Sequence, residues 1–444
     1  MMPSFKIILC DILNPINDKR CIKVRKGAIV LKKINKDSTN EYKILDYGSE
    51  KKMINSYGHK KSCVVKNRSD QLCLPGFIDT HFHWVQDDVR LMAKKSLLTW
   101  LERYTWPYEA KFKSKRYSLK RSKLFHDELL QVGTLGGAVY GSIHGHTVDH
   151  ALSNFIGDYI VGNVLMTQNS PDYLIQSTCT AKKLIKNLAN KYKAKYAVTP
   201  RFAPTTCADV MLFGAKQAKK NGSFIQTHLS ETENEINYVL SLFKDIKGFE
   251  KIKTYTGIYK KCGLLGKRTI MGHGIHLSDE ELVMLSKSKT SIAHCPSSNA
   301  PVSEFGLGSG LFSFKRIEKA KIHWALASDI GGGPFLSMFD VMRSFVNSNK
   351  KAKISNATYT KALYRATLAG AISLNKEKQI GNLDRNKWAN FILVPSPKYK
   401  KGETAESILK SLSQVSLKKR SRYQDLVLST WFRGEEVFNR NELF

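Results

Sequence analysis

His81 and His83 stand two residues apart at the end of the apolar run Leu74-Pro75-Gly76-Phe77-Ile78-Asp79-Thr80-His81-Phe82-His83. On a strand, residues i and i+2 share a face. Both imidazoles then converge on one side and begin a site for a divalent ion, with zinc the first choice. Further candidates recur downstream: His228 in Gln226-Thr227-His228-Leu229-Ser230-Glu231, His273 in Met271-Gly272-His273-Gly274, and Asp329 in Ser328-Asp329-Ile330-Gly331. His81, His83, His228 and Asp329 together offer three imidazoles and a carboxylate. That donor set suits one Zn²⁺ per chain, with Fe²⁺ as the alternative. Such an ion lowers the pKa of a bound water from ~15.7 to near ~7; Asp329 is placed to take its proton, and His273 to orient it. Glu231 alone reads as a helix-start carboxylate favoured by the dipole. Three residues after a ligand, it reads instead as a proton shuttle to a ring nitrogen.

Competing metal chemistries are weaker. Binuclear hydrolases on a barrel use a bridging lysine at the end of strand four, and here that segment is Thr199-Pro200-Arg201-Phe202. A deaminase signature of HxE with PCxxC is half matched by His126-Asp127-Glu128, but no PCxxC exists, so the match is read as accidental on a helix. His144, His146 and His150 form a further histidine group. A histidine-rich pocket wall is the favoured reading there, over a second metal.

These residues need a frame that brings them together. Residues 1–73 carry short strands separated by turns, namely Phe5–Leu9, Ile22–Val24, Ala28–Leu31, Tyr42–Leu45 and Cys63–Val65, with no long helical period. From Leu74 the pattern alternates: strands at Pro75–Thr80, Gly136–Ile143, Tyr159–Met166, Lys195–Pro200, Ser223–Thr227, Thr269–Gly272, Thr290–Ala293 and Ile322–Ser328. Amphipathic stretches such as Leu97–Lys111, Ser118–Val132, Tyr173–Tyr192, Asp209–Lys220 and Asn234–Phe243 lie between them, and Ser278 with Glu281 forms a capping box opening Asp279–Leu285. Eight strands with intervening helices predict an α/β fold, a (β/α)8 TIM-like barrel. A doubly wound open sheet is the alternative, but no GxGxxG follows the first strand. The strand ends carry His81, His83, His144, Gln168, Arg201, His228, His273, His294 and Asp329, which a barrel would gather on one rim. A last barrel helix is expected at Ala357–Leu374. Beyond it, strands at Trp388–Val394, Leu426–Phe432 and Glu436–Phe438 fold back on the N-terminal ones, and Lys398–Arg422 forms a surface helix and loop. The domains are then 1–73 and 379–444, two parts of a small β-sandwich built from both chain ends, around a barrel of 74–378.

Composition bounds the class. Hydrophobic residues at 42% and charged residues at 25% are ordinary for a globular chain. There is no apolar run long enough to span a membrane, the start lacks a signal-peptide pattern, and the eight cysteines form no CxxC pair. A cytoplasmic setting without membrane association follows as the expectation. The net charge of +33 is read as a lysine-rich solvated surface. No nucleic-acid-binding motif accompanies it, so no specific nucleic-acid partner is expected, only salt-sensitive adhesion to polyanions.

The motifs LPGFIDTHFH, THLSETENE, MGHG, AHCPSSN and SDIGGG, in that order and at fitting intervals, resemble the amidohydrolase superfamily over essentially the whole chain. Within it, Leu97-Leu98-Thr99-Trp100-Leu101-Glu102-Arg103-Tyr104-Thr105-Trp106-Pro107, Gln86 and Thr199-Pro200-Arg201-Phe202-Ala203-Pro204 are similar to the guanine deaminases. That resemblance implies zinc on His81, His83, His228 and Asp329, His273 beside the attacking water, and Glu231 as proton shuttle. It also implies Gln86, Arg201 and Phe202 around a purine, a homodimeric assembly, and deamination of guanine to xanthine and ammonia in purine catabolism. An amide and a guanidinium suit a ring carbonyl and nitrogens, and an aromatic face suits stacking on a base. The chain departs from the family pattern at Gly133-Thr134-Leu135-Gly136-Gly137, Ile143-His144-Gly145-His146, Ala327-Ser328 and Ala300-Pro301-Val302-Ser303-Glu304-Phe305. These departures bear on the substrate more than on the reaction. The alternatives are another aminated heterocycle (8-oxoguanine, a pterin or an adenosine thioether) or, in a different class, a non-catalytic barrel that binds polyanions.

Overall fold

The computed structural model describes residues 3–34, 40–94, 96–300, 306–413 and 425–443. Five strands open the chain: β1 (Phe5–Pro15), β2 (Cys21–Val24), β3 (Gly27–Lys33), β4 (Tyr42–Ser49) and β5 (Cys63–Pro75). Eight more follow: β6 (Phe77–Phe82), β7 (Thr134–Gly141), β8 (Asp158–Leu165), β9 (Ala197–Pro200), β10 (Phe224–Leu229), β11 (Thr269–His273), β12 (Ser291–His294) and β13 (Trp324–Leu326). The last three are β14 (Phe391–Pro395), β15 (Ser429–Phe432) and β16 (Glu435–Asn439).

Strands β6 to β13 form one sheet in strict sequence order, and helices lie between successive strands. The registers from β8 to β13 are parallel. Every residue of β7, β8 and β11 is buried, as expected where a parallel sheet is covered on both faces. Beyond the strands, the first and last are tied together. The Asp329 N–H donates to the His81 carbonyl at 2.9 Å and the Ser328 N–H to Asp79 Oδ1 at 3.0 Å, while Thr80 Oγ1 donates to the Leu326 carbonyl at 3.1 Å. The expected (β/α)8 barrel is present, nearly closed.

The remaining strands make a second eight-stranded sheet from both chain ends, ordered β16-β15-β14-β5-β1-β3-β4 with β2 on β1. Its core is Ile8, Ile12, Ile29, Leu31, Tyr42, Ile44, Phe391, Leu393 and Trp431, all buried. Contacts divide the chain into two units, Met1–Ile78 with Asp127–Gly136 and Leu336–Phe444, and Asp79–His126 with Gly137–Phe335.

Several expectations differ in detail. Strand β5 runs ten residues past the predicted Val65, because it pairs in parallel with β1 through polar residues that show no apolar alternation. A helix, Glu50–Tyr57, sits among the N-terminal strands where none was expected; it is only eight residues long, and its apolar face is the short set Met53, Ile54 and Tyr57. The stretch Leu97–Lys111 is not one helix but a succession of α, π and 3₁₀ turns. The last barrel helix is broken into Tyr359–Arg365 and Leu368–Ser373. Of the segment Lys398–Arg422, Ala405–Ser413 is helical and 414–424 lies outside the described residues, as does 301–305 of the extended loop after His294. His126 and Glu128 do lie on a helix, Lys115–Gln131. The eight cysteines are free thiols. No described helix is long and apolar enough to cross a membrane.

Candidate functional site

The C-terminal ends of β6, β10 and β11 and the turn after β13 converge. His81, His228, His273 and Asp329 each offer one ligand atom, all within 4.8 Å of one another, and no other such group occurs among the described residues. His83 is absent from that mutual set although it was among the predicted ligands, whereas His273, expected beside the water, is in it. His83 still adjoins the group, because its Nε2 faces His228 Nε2 at 3.1 Å. His81 Nε2 lies 3.4 Å from Asp329 Oδ1, and neither nitrogen of this buried ring has a hydrogen-bond partner.

These contacts fit a shared cation. Tetrahedral ligands with bonds near 2.0–2.1 Å stand roughly 3.3 Å apart. His228 Nδ1 lies 2.6 Å from the Arg201 carbonyl; a carbonyl only accepts, so Nδ1 carries the proton and Nε2 keeps its lone pair for an ion. Burial, reinforced by neighbouring histidines, pushes His83 and His228 well below the usual imidazole range, and burial also lowers His81. Neutral imidazoles are what a metal takes. Asp329 resists burial because His81 and His273 hold its carboxyl below the ordinary value. Gly272 makes room: a Cβ there would come within 2.6 Å of His81 Cε1. His273 (φ 74) and Asp329 (φ 55) both adopt left-handed backbone, a strained conformation for non-glycine residues that clusters at functional sites.

Glu231 lies just past β10, ahead of the helix Glu233–Lys244, which a Thr232–Glu235 capping box opens. Glu235 is thereby engaged, and its Oε2 also accepts the Glu231 N–H at 2.8 Å. Burial pushes the Glu231 carboxyl up to about 7, against the opposing pull of His273. For His273 the balance reverses: burial lowers it, but Glu231 and Asp329 outweigh that and raise it. Asn299 joins the two. Its Oδ1 lies 2.9 Å from His273 Nδ1, and its Nδ2 donates to Glu231 Oε1 at 2.9 Å. Since Oε1 is occupied, Oε2, 3.5 Å from His273 Nε2, is the oxygen left to exchange a proton.

A cavity opens on this group, lined also by Gln86, Arg201, Phe202, Trp100 and Leu101. Gln86 and Arg201 are 2% and 3% exposed and Phe202 is 7% exposed. Both polar side chains meet Glu109 behind the wall: Gln86 Nε2 donates to Glu109 Oε1 at 2.6 Å, and Arg201 Nη1 to Oε1 and Oε2 at 2.9 and 2.8 Å.

Other strand-end residues have separate surroundings. His294 is buried and stacks on Phe312 at 4.2 Å. Gln168 donates to the Pro204 carbonyl. His144, His146 and His150 stand in a row with ring centroids 5.5 and 5.6 Å apart. His146 Nε2 faces the Phe112 carbonyl and His150 Nδ1 faces Ser118, and the row is not close enough to share an ion. Sequence reasoning gave no role to Asn299, Glu109 or Glu235. All three sit in or beside quoted motifs, and the Thr-x-x-Glu cap was legible.

The amidohydrolase family model matches residues 72–419. The guanine deaminase of Escherichia coli is 33% identical over 338 residues, 74% of each chain, and that of Dictyostelium discoideum is 33% identical over 333 residues, 72% of each. A guanine deaminase structure from C. acetobutylicum, with guanine bound in its active site, superposes with a TM-score of 0.84 at 25% identity, over 98% of this chain and 100% of that one. Metal dependence is a property of the family, and the His/Asp group here is able to hold an ion. The chain belongs to the amidohydrolase family, among its guanine deaminases.

Proposed function

We propose that this chain hydrolyses guanine to xanthine and ammonia, with one zinc ion on His81, His83, His228 and Asp329. One observation carries the reading: a single cavity is lined by His/Asp donors, a carboxyl poised near neutrality, and an amide beside a guanidinium. An ion on those donors supplies Lewis acidity that lowers the pKa of a water to near ~7.

The chain's own residues do the rest. Gln86 and Arg201 hold the ring edge, and the Phe202 ring stacks against its face. Asp329 accepts the proton of the attacking water, whose oxygen adds to C2. Glu231, holding its proton at Oε2, delivers it to N3 as C2 becomes tetrahedral. Asp329 then returns its proton to the amine, the C2–N bond breaks and ammonia leaves, and the C2 hydroxyl gives its proton to the Glu231 carboxylate, which leaves xanthine and restores the Glu231 acid. His273, raised by its two carboxylate neighbours and fixed by Asn299, orients the water.

The test is ammonia release from zinc-loaded protein with guanine, 8-oxoguanine, a pterin and an adenosine thioether. Turnover of guanine is expected, with loss of all turnover in His228→Ala and about one metal per chain. Turnover of another heterocycle with none of guanine would overturn the substrate, and full activity in His228→Ala would overturn the metal set.

A further inference from the structure

Glu109 has no part in the reaction as derived, yet it is completely buried. It lies on the short helix Trp106–Ala110 and meets the two polar side chains that line the cavity against the ring edge. A carboxylate has no donor to offer. Facing Glu109 Oε1 at 2.6 Å, the Gln86 amide must therefore turn its NH₂ inward. Its Oε1 is left on the other side, where it accepts the Gly331 N–H at 3.4 Å. The amide orientation, which an isolated glutamine leaves open, is decided by this neighbour. The same carboxylate takes Arg201 Nη1 with both oxygens, fixing the plane in which the remaining guanidinium donors are offered.

We infer that Glu109 is a positioning residue that sets the hydrogen-bond polarity of the Gln86–Arg201 pair, an acceptor beside a donor. The substrate edge complementary to that pair is a cyclic lactam, a ring N–H next to a carbonyl. An amidine edge, with a ring nitrogen acceptor next to an amino group, meets acceptor with donor reversed at both positions. Buried polar groups left facing like partners discriminate strongly, because neither can be satisfied elsewhere. The inference rests on the proposed C2 deamination and adds what decides which 2-aminopurine is taken.

The experiment compares kcat and KM of the zinc-loaded enzyme for guanine and for 2,6-diaminopurine, which keeps the C2 amine and N3 but replaces the lactam by an amidine. Wild type is expected to favour guanine by at least 100-fold in kcat/KM. In Glu109→Gln, whose amide can donate as well as accept, the guanine KM rises tenfold or more, kcat changes less, and the preference shrinks at least tenfold. Glu109→Asp, still acceptor-only, retains most of the preference even where kcat/KM falls. An unchanged preference and KM in a folded Glu109→Gln enzyme overturns the inference. If that variant does not fold, Glu109→Asp decides, and equal turnover of both purines by it is the overturning result. Wild type that accepts both purines equally sinks the inference and leaves C2 deamination standing, whereas wild type inactive on guanine sinks the proposed function itself.

Discussion

The two oxygens of Glu231 keep different company, and that asymmetry decides what the residue can do. Oε1 accepts from Asn299 and Oε2 faces His273, while burial holds the carboxyl near 7, so one defined oxygen is ready to gain or lose a proton at neutral pH. Glu231→Gln preserves the shape and the Asn299 contact but cannot shuttle. We expect kcat to fall about 10²- to 10⁴-fold with metal content unchanged, measured by steady-state kinetics beside metal analysis; a drop under threefold would remove the shuttle role. At this scale the sequence was legible where spacing carries information. A histidine pair on one strand face and a glutamate three residues after a strand-end histidine are patterns with a geometric meaning. Asn299 and Glu109 had no such pattern, since an amide and a carboxylate become meaningful only when the fold brings residues 26 and 92 positions distant against them.

Elements explain why the candidate ligands meet. Parallel strands of a barrel end on one rim, and here the strands approach so closely that some positions admit no side chain. A Cβ at Gly162 on β8 would stand 1.9 Å from Thr199 Oγ1 and 2.1 Å from the Ala197 carbonyl. A backbone carbonyl in a paired strand cannot step aside cheaply. Gly162→Ala should therefore destabilise the protein by about 1–3 kcal/mol or more, read as a lowered denaturant midpoint, and a midpoint equal to wild type would show that the neighbouring strand yields. Strand order and most strand positions were legible from alternation, because burying a parallel sheet demands apolar runs. What stayed hidden were pieces fixed by distant pairing or local breaks. β5 is held by β1 rather than by its own pattern, and the π turn Leu101–Thr105 interrupts a stretch that periodicity reads as one helix, beside the cavity-lining Trp100. Such turns recur at functional sites.

For the whole molecule, stability should depend on pH through a buried acid that does not line the candidate site. Asp340, on the helix Met338–Lys351, is 4% exposed, and burial pushes its carboxyl up to about 7, only partly opposed by Arg343. The folded state then keeps a proton that the unfolded chain loses near its ordinary value of 3.8. Stability contributed by the neutral form is present at low pH and declines as pH rises toward 7, by about 1.4 kcal/mol for each unit inside that window. Asp340→Asn does not titrate. Its thermal midpoint should gain on wild type from pH 5 to pH 8, and a constant difference over that range would refute the buried-acid account. The net charge of +33, in contrast, bears on association rather than on the fold. The chain-end sheet has a further consequence, for the order of synthesis. The apolar end of β5, which leads directly into the histidine-bearing β6, pairs with β1 on one edge and with β14 on the other. A growing chain therefore emits His81 and His83 next to a half-clothed strand. Until Phe391–Pro395 emerges, the β5 edge that it covers has no strand partner on that side and is open to pairing with other chains.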